Sequence, residues 1–390
     1  MAQKLKFGNG QWATKEGSTL AYNDEDNNFK PLPFSFERAS TATRVNKEGL
    51  IEVVGRDKPR IDYTDSSEGV LLLEPSRSNL VTYSQEVSNW SIISSGIVIT
   101  DNTTDILSPS GKNDASKVEF NAASKILGQS PTLSGNYSGF IYVKGTQGET
   151  IRFNFGGTEE NFTLTGGWDK LERTNITATA NAFNLNTFVG VTARTIYLWG
   201  AQIEQGSYAT SYIPTNGSTV QRAAETANES GNSEVFNDSE GVLMAEISAL
   251  ANDGIVRTIS IINSSSTGNL VRLYYIDNKI VANVKVGGVT AFEYVHTLSS
   301  GTEFIKLSLK YKQNDYAFWV NGIKVDSEQI GNTPTGLSVL SFDYAGGSDF
   351  YGKTKEIRYY DTALTDEELE YMTSYRSLNE MVTELNLNTL

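Results

Sequence analysis

Cysteine is absent from this chain of 390 residues, which excludes structural disulfides, cysteine nucleophiles and cysteine-ligated zinc. Histidine occurs once, at His296, so a histidine-based catalytic triad has a single candidate centre. No run of about 18 apolar residues exists, and the N-terminal residues MAQKLKFGNGQW lack the apolar core of a secretory signal. We therefore expect a soluble protein without membrane insertion, made in a reducing cytoplasm and stabilised by burial or by oligomerisation.

Basic residues are also scarce relative to acidic ones. The 32 Lys and Arg residues against 46 Asp and Glu residues give a formal charge of −14. This balance argues against a nucleic-acid partner, because phosphate contact needs clustered positive charge. It is compatible with a glycan partner. The 34 glycines and 19 tyrosines suit β-sandwiches with one polar sheet face.

Strand-like alternation governs the chain from about residue 89 onward. The clearest example is Phe304 to Lys312, where apolar side chains alternate with Lys and Ser. We predict an all-β fold of two tandem antiparallel β-sandwich (jelly-roll) domains after an extended N-terminal segment, with a short C-terminal helix. The predicted boundaries are an attachment and oligomerisation segment (1–84), a first sandwich (85–215), a linker (216–240), a second sandwich (241–375) and a helical tail (376–390).

The C-terminal helix has clear start signals. Thr365 and Glu368 have the spacing of a capping box, and Leu364 and Leu369 occupy the positions of a hydrophobic staple. The tail continues with a weak heptad-like spacing that includes Leu385. We expect a helix that packs on its own domain, with a self-association helix as the alternative.

The second sandwich resembles the laminin G-like and concanavalin-like lectin domains. The segments that carry the resemblance are FIKLSLKY, DYAFWVNGIKVDS and KEIRYYDTALTDEELEYM, within residues 304–373. The resemblance implies a lectin-type sandwich over residues 241–375. It does not imply a ligand, since this fold hosts lectins, glycanases and adhesion modules.

The first half resembles structural and fibre proteins of bacteriophages. The segments are SFERASTATRVNKEGLIEVV (35–54), PRIDY (59–63), GVLLLEPSRSNLVTYS (69–84) and LWGAQIEQGSYATSYIPT (198–215). The resemblance implies a virion-surface head or tail fibre subunit with a carbohydrate-binding-module-like jelly roll over 85–215. Expected partners are other copies in a homotrimer, virion proteins through residues 1–84, and host-surface or mucus glycans.

Catalysis is not expected. Retaining glycanases of the concanavalin type place Glu-x-Asp-x-Glu on one strand, and no Glu here is followed two residues later by Asp. No nucleotide-binding or nucleophile-elbow motif is present. A glycan-degrading depolymerase with an unfamiliar site and a bacterial surface adhesin are the alternatives.

Aromatic side chains are the candidates for glycan contact, because their rings stack on the apolar faces of sugars. Phe350 and Tyr351 are preferred, since they follow the loop AGGSD. The other candidates are Tyr316, Trp319, Tyr274, Tyr137 and Trp168, each of which has a core position as its alternative. No cofactor is required, and Asp343 and Asp349 are candidate calcium ligands.

Overall fold

The computed structural model describes residues 3–23, 29–188, 193–264 and 266–384. Through β19 the strands of this described part are β1 (Leu5–Gly8), β2 (Thr14–Lys15), β3 (Ser18–Asn23), β4 (Lys30–Glu37), β5 (Ala42–Val45), β6 (Ile51–Val54), β7 (Ile61–Asp62), β8 (Val70–Leu73), β9 (Arg77–Asn79), β10 (Ile92–Ile93), β11 (Ile97–Thr100), β12 (Ser116–Phe120), β13 (Ile126–Gln129), β14 (Asn136–Lys144), β15 (Thr150–Phe155), β16 (Thr158–Thr163), β17 (Asp169–Thr177), β18 (Phe183–Asn186) and β19 (Arg194–Gln205). 

The later elements are β20 (Val220–Arg222), β21 (Thr226–Asn228), β22 (Glu240–Ala249), β23 (Arg257–Asn263), β24 (Ser266–Ile276), β25 (Lys279–Val286), β26 (Val289–Thr297), β27 (Ile305–Lys312), β28 (Tyr316–Val320), β29 (Ile323–Glu328), β30 (Val339–Ser341), β31 (Gly352–Tyr360), α1 (Asp366–Thr373) and α2 (Leu378–Glu384). The predicted all-β class with a short C-terminal helix is confirmed. Neither helix is long or apolar enough to cross a membrane.

Two compact units make up the chain. Unit 1 comprises Met1–Ala39, Arg56–Pro75 and Ala224–Leu390, and unit 2 comprises Ser40–Gly55 and Ser76–Ala223. The chain therefore passes from one unit to the other after Ala39, Gly55, Pro75 and Ala223. This interleaving differs from the predicted boundaries, which divided the chain into consecutive segments.

Unit 1 is a sandwich of two antiparallel sheets. The larger has 12 strands, nine of which follow the order β21-β4-β3-β1-β31-β22-β27-β28-β29, and the smaller has five in the order β26-β25-β24-β23-β30. Residues of both sheets meet in one core, for example Leu243 and Ile357 from the larger sheet with Ile261 and Leu273 from the smaller. Period-two alternation produces this arrangement, because it directs one side of each strand inward.

The predicted N-terminal segment 1–84 is corrected by this topology. Strand β1 pairs with the terminal strand β31, with Leu5 opposite Tyr359 and Phe7 opposite Ile357. Two apolar islands of the segment are buried in unit 1: Phe34 is 0% exposed and Leu71 is 0% exposed. The parts of the segment in unit 1 therefore complete the C-terminal sandwich, and these two islands need no second copy to cover them. The third island lies in unit 2, where Leu50 is 37% and Val53 62% exposed.

The predicted linker 216–240 is likewise corrected. Its first part forms β20, which pairs with β9 in unit 2, and its next part forms β21, which pairs with β4 in unit 1. Phe236 packs edge-on against Tyr359, 5.0 Å between ring centroids, and is buried. These two strands were not predicted because short strands bury few side chains, so their sequence can be mostly polar and lack an apolar alternation.

Unit 2 is a second sandwich, built from the five-stranded sheets β10-β13-β18-β15-β16 and β11-β12-β19-β14-β17. Its core joins Leu127 and Phe153 of the first sheet to Val118 and Ile141 of the second. The strands β5 and β6 form a hairpin of their own, and β9 pairs with β20.

Helix α1 begins as predicted. The Thr365 side chain accepts a hydrogen bond from the Glu368 amide at 3.3 Å, and the Glu368 carboxylate accepts one from the Thr365 amide at 2.9 Å. Leu369 and Met372 pack with Trp319 on the outer face of the larger sheet of unit 1. The expected polar face of β27 is consequently covered as well: Lys306 is only 7% exposed and forms an ion pair with Glu380 of α2. Leu385 lies outside the described residues.

Candidate functional site

A row of polar residues crosses the outer face of the five-stranded sheet of unit 1. The core face of this sheet carries Ile261 and Leu273, so the side chains that alternate with them point away from the core. In ladder register the row consists of Ser341 on β30, Ser260 on β23, Arg272 on β24, Asn283 on β25 and Glu293 on β26. Each strand thus contributes one polar side chain at the same level.

Arg272 stands at the centre of this row, in contact with two tyrosine rings. Its guanidinium carbon lies 4.5 Å from the ring centroid of Tyr274 and 4.7 Å from that of Tyr344. Tyr274 follows Arg272 by two positions on β24 and therefore shares its face. Both rings and the guanidinium are half-buried. We call Arg272, Tyr274 and Tyr344 the Arg272 patch.

A tight turn positions Tyr344. The backbones of Tyr344 and Gly347 exchange two hydrogen bonds, at 2.7 and 3.1 Å. The two residues between them have positive φ, 53° at Ala345 and 81° at Gly346, as a type I′ turn requires. The Ser348 carbonyl accepts a hydrogen bond from the amide of Thr258 at 3.0 Å, which ties the turn to β23. The tyrosine is therefore presented by a fixed loop.

Asn283 orients the arginine. Its side-chain oxygen accepts a hydrogen bond from Arg272 Nε at 3.0 Å, and its Nδ2 donates to Glu293 Oε2 at 3.1 Å. Asn283 is fully buried, whereas Glu293 is exposed. Burial raises the pKa of Tyr274, against the opposing effect of the Arg272 charge. The Tyr274 hydroxyl therefore remains protonated and neutral at physiological pH.

A polar groove of about 700 Å³ adjoins this row at β30. Its lining includes Ser341, Asp343, Asn228 and Glu229. Asp343 is 6% exposed and accepts hydrogen bonds from the Asn228 amide group at 3.2 Å and from the Gly346 backbone at 3.0 Å. Burial raises the pKa of Asp343, and the charges of Asp349 and Glu229 add to this effect. The groove and the Arg272 patch provide amide, hydroxyl, guanidinium and aromatic groups on one unit.

Four of the predicted glycan-contacting aromatics are core residues. Phe350 is 1% exposed and packs against Phe342, which corrects its assignment to an accessible loop. Tyr316 is 0% exposed and stacks on Phe292, with ring centroids 5.6 Å apart. Trp319 (5% exposed) lies beneath α1, and Tyr137 (7% exposed) packs in the core of unit 2. Their rings have no free face for a sugar.

The remaining three predicted aromatics are half-buried and lie in different places. Tyr274 belongs to the Arg272 patch. Tyr351 points its hydroxyl at Asp349 Oδ2, 2.8 Å away, at the start of β31. Trp168 lies in unit 2, where Nε1 donates to the Leu107 carbonyl at 3.0 Å and the ring packs on the cluster around Trp199.

Unit 2 has a concavity of its own, of about 500 Å³. Trp199 and Tyr212 line it together with Asp114 and Gln85. The Tyr212 hydroxyl bonds Ser84 Oγ at 2.6 Å, and burial raises its pKa. Both aromatic rings are more than nine-tenths buried, so this concavity offers polar edges and little ring surface.

Calcium binding by Asp343 and Asp349 stays a prediction. Asp343 is bonded within its own turn, and Asp349 accepts from Tyr351. Across the described residues, no group of three or more His, Cys, Asp or Glu side chains is placed to hold a metal ion.

Sequence reasoning missed Arg272, Asn283 and Tyr344 as a unit. Tyr344 was an aromatic among many, and Arg272 and Asn283 looked like ordinary outward residues of alternating strands. Only the register of β24 with β25 places Asn283 opposite Arg272. A local sequence pattern does not specify that register.

Comparisons with protein-family models and with curated proteins find no match to this chain. Among solved structures it is similar to the leech intramolecular trans-sialidase complexed with 2,7-anhydro-Neu5Ac, with 17% identity, 38% of this chain and 26% of that chain covered, and a TM-score of 0.31. A Ruminococcus gnavus sialidase module, CBM40 bound to α2,3-sialyllactose, gives 14% identity, 38% and 94% coverage, and a TM-score of 0.32. The binding domain of botulinum neurotoxin serotype D/C gives 11% identity, 38% and 40% coverage, and a TM-score of 0.32. Identities and TM-scores this low carry no argument about ligand or activity, and the fold assignment rests on the strands described above.

Proposed function

We propose that this protein is a non-enzymatic glycan-binding protein and that the Arg272 patch is its sugar-contacting surface. The observation that carries the proposal is the placement of Tyr274 and Tyr344 beside one guanidinium on the outer face of a sheet. Half-buried tyrosine rings keep some apolar surface for the C–H groups of a sugar, and nearby polar groups can bond its hydroxyls.

Rigidity of the patch supports the same proposal. The type I′ turn fixes Tyr344, and the ladder between β24 and β25 fixes Tyr274. A preorganised surface loses little conformational entropy on binding, which favours recognition of weakly bound ligands such as single sugars.

A glycan array tests this proposal with three variants of the full chain. We expect Tyr274→Ala and Tyr344→Ala each to weaken binding about five-fold, since one aromatic contact contributes about 1 kcal/mol. The matched control is Tyr371→Ala, which removes a 58% exposed tyrosine from α1. Wild-type protein that binds no glycan, or variants that bind as well as the control, would reject the Arg272 patch as the site.

The absence of a chemical step is tested separately. Bound glycans from the array are incubated with the protein, and the products are separated by chromatography. We expect the glycans to be recovered intact. Shortened products would favour the hydrolase alternative.

We also propose that the protein is a subunit of a fibre or appendage on the surface of a bacteriophage particle. The four sequence segments that resemble such proteins support this role. We also propose that it assembles as a homotrimer, and this rests on the same resemblance. Burial of apolar residues gives it little support, because the islands around Phe34 and Leu71 are already covered within one chain. Antibody labelling of purified particles in the electron microscope tests the location and separates head from tail, and sedimentation equilibrium tests the trimer. Unlabelled particles would contradict the virion role, and a monomer would contradict the trimer.

A further inference from the structure

The guanidinium of Arg272 has more N–H donors than it has acceptors among the described residues. Its Nε bonds Asn283, and no other hydrogen bond or ion pair of this side chain exists with any described residue. Arginine carries five N–H donors, so the end of the guanidinium formed by Nη1 and Nη2 has no protein acceptor. The residue is only half-buried, and Nη1 and Nη2 are not among the unpartnered side-chain nitrogen atoms that the fold buries.

This lack of a carboxylate partner is unusual in an acidic chain. Acidic residues outnumber basic ones by 46 to 32. Other arginines of unit 1 lie against carboxylates: Arg257 bonds Asp253 at 2.8 Å and Arg38 bonds Glu225 at 2.6 Å. The acidic residue nearest in the row, Glu293, is bonded by Asn283 on the next strand. Asn283 thus separates the guanidinium from the one carboxylate of the row.

We propose that Arg272 binds the carboxylate of an acidic sugar, so that the glycan recognised by the Arg272 patch is a uronic or other sugar acid. This inference rests on the proposed glycan-binding function and specifies its ligand class. The planar guanidinium matches the two oxygens of a carboxylate, which it bonds through two parallel N–H groups. The tyrosines then contact the apolar ring surface of the same sugar. Asn283 acts as a positioning residue, because its bond to Nε fixes the direction of the free end.

Matched ligand pairs test the ligand class. Tetragalacturonate is compared by calorimetry with its carboxyl-reduced counterpart, a neutral galactotetraose, and 3′-sialyllactose is compared with its own carboxyl-reduced counterpart. We expect at least one acidic member to bind about ten-fold or more tightly than its neutral partner, the effect of a charge-assisted hydrogen-bonded pair. We also expect this preference to shrink as NaCl is raised, since salt screens exposed charges.

Variants then assign the preference to Arg272. Arg272→Gln should abolish the preference for the acidic member. Arg272→Lys should reduce it, because lysine keeps the positive charge but lacks the two parallel N–H groups that bond both carboxylate oxygens. The control is Arg56→Gln, which alters an arginine with a 70% exposed side chain elsewhere in unit 1. Melting temperatures of all variants are measured beside the binding data, and the lysine variant still decides the assignment if the glutamine variant is unstable.

Each outcome decides between the two proposals. Equal binding of acidic and neutral members, lost in Tyr274→Ala, would overturn the acidic-sugar inference and leave glycan binding intact. Binding of sulfated glycans alone would also overturn the carboxylate assignment. A protein that binds no member of either pair and no glycan on the array would overturn both proposals. An acidic preference that survives Arg272→Gln would place the acid-binding group elsewhere.

Discussion

Arg60 donates from Nε to Glu225 Oε1 at 2.8 Å, although 165 residues separate the two along the chain. Both side chains are 0% exposed. Arg38 also donates to Glu225 Oε1, at 2.6 Å, and Glu74 bonds Arg60 at 2.9 Å. Three of these residues come from the segments that resemble phage proteins: SFERAS, PRIDY and LLLEP. The resemblance is therefore carried in part by a buried ionic cluster that holds the N-terminal strands on unit 1.

Removal of the Glu225 charge should destabilise unit 1 strongly. Two arginines and two glutamates are balanced in the cluster, and Glu225→Gln leaves the arginines undercompensated. Burial would lower the pKa of Arg60, and the charges of Glu225 and Glu74 raise it above its ordinary value. Arginine is so strong a base that it stays protonated in proteins, so the loss of the Glu225 charge leaves buried positive charge without its full compensation. We expect the free energy of unfolding to fall by about 3–5 kcal/mol.

Chemical denaturation with a surface control measures this effect. Glu52 pairs with Arg44 at 2.8 Å, with 40% and 27% of their side chains exposed, so Glu52→Gln should cost less than about 1 kcal/mol. Equal losses in the two variants would mean that the buried cluster contributes no more than a surface pair.

Asn79 should be equally sensitive in unit 2. Its Nδ2 donates to the carbonyls of Ala201 and Ile213 at 3.0 and 2.8 Å, and its Oδ1 accepts from the amides of Val81 and Ile203 at 3.0 and 3.1 Å. Asn79→Ala leaves these buried backbone groups without partners, at about 1–3 kcal/mol for each group left unsatisfied.

Thermal unfolding compares this variant with Asn136→Ala. Asn136 bonds Asn175 at an exposed position, so its loss should change stability by no more than about 0.5 kcal/mol. We expect a clearly lower melting temperature for Asn79→Ala alone. An unchanged melting temperature would show that water replaces the amide at this site.

Local signals predicted the parts of the fold that depend on neighbours in sequence. The capping box of α1 links Thr365 to Glu368, and the alternation of β27 follows from adjacent residues. Long-range pairing was not predictable in this way. Nothing near Leu5 specifies that it lies opposite Tyr359, and nothing near Thr226 specifies pairing with Glu37.

The candidate site could not be predicted from local sequence for the same reason, because its contacts join residues that are distant along the chain. Phe350 follows a glycine-rich loop, which suggested exposure, but its amide bonds the Phe342 carbonyl at 2.8 Å and its ring enters the core. Tyr274 was predicted as one aromatic among several. Its role depends on Arg272 beside it and on Tyr344 from a turn that only the folded chain brings near.

Residues 216–240 should resist proteolysis. Arg222 is 1% exposed and lies in β20, paired with Arg77 of β9, so the bond after it is inaccessible to trypsin in the folded protein. The exposed Lys47 and Arg56 provide internal controls. We expect mass spectrometry of early fragments to show cleavage after these two residues first. An early fragment that begins at Ala223 would restore the predicted linker.

Asp343 gives stability an unusual dependence on pH. Burial raises the pKa of this carboxyl above its ordinary value of 3.8, with contributions from Asp349 and Glu229. A raised carboxyl pKa means that the folded state favours the protonated form. The associated stability is present below the unfolded pKa and is lost as pH rises through the folded pKa.

Asp343→Asn should therefore raise the melting temperature at pH 7, because the neutral amide keeps an acceptor for the Gly346 amide without a buried charge. The gain should shrink as the pH is lowered toward 3, where the wild-type carboxyl is protonated. Asp277→Asn, at an exposed position with φ of 52°, serves as the control, and its melting temperature should equal that of the wild type.

Calcium binding would favour the ionised carboxylate instead. If Asp343 and Asp349 bind calcium, calcium chloride will raise the melting temperature of the wild type and leave that of Asp343→Asn unchanged. A variant that is less stable than the wild type at pH 7 in the presence of a calcium chelator would show that the ionised carboxylate stabilises the turn, contrary to the sign argued here.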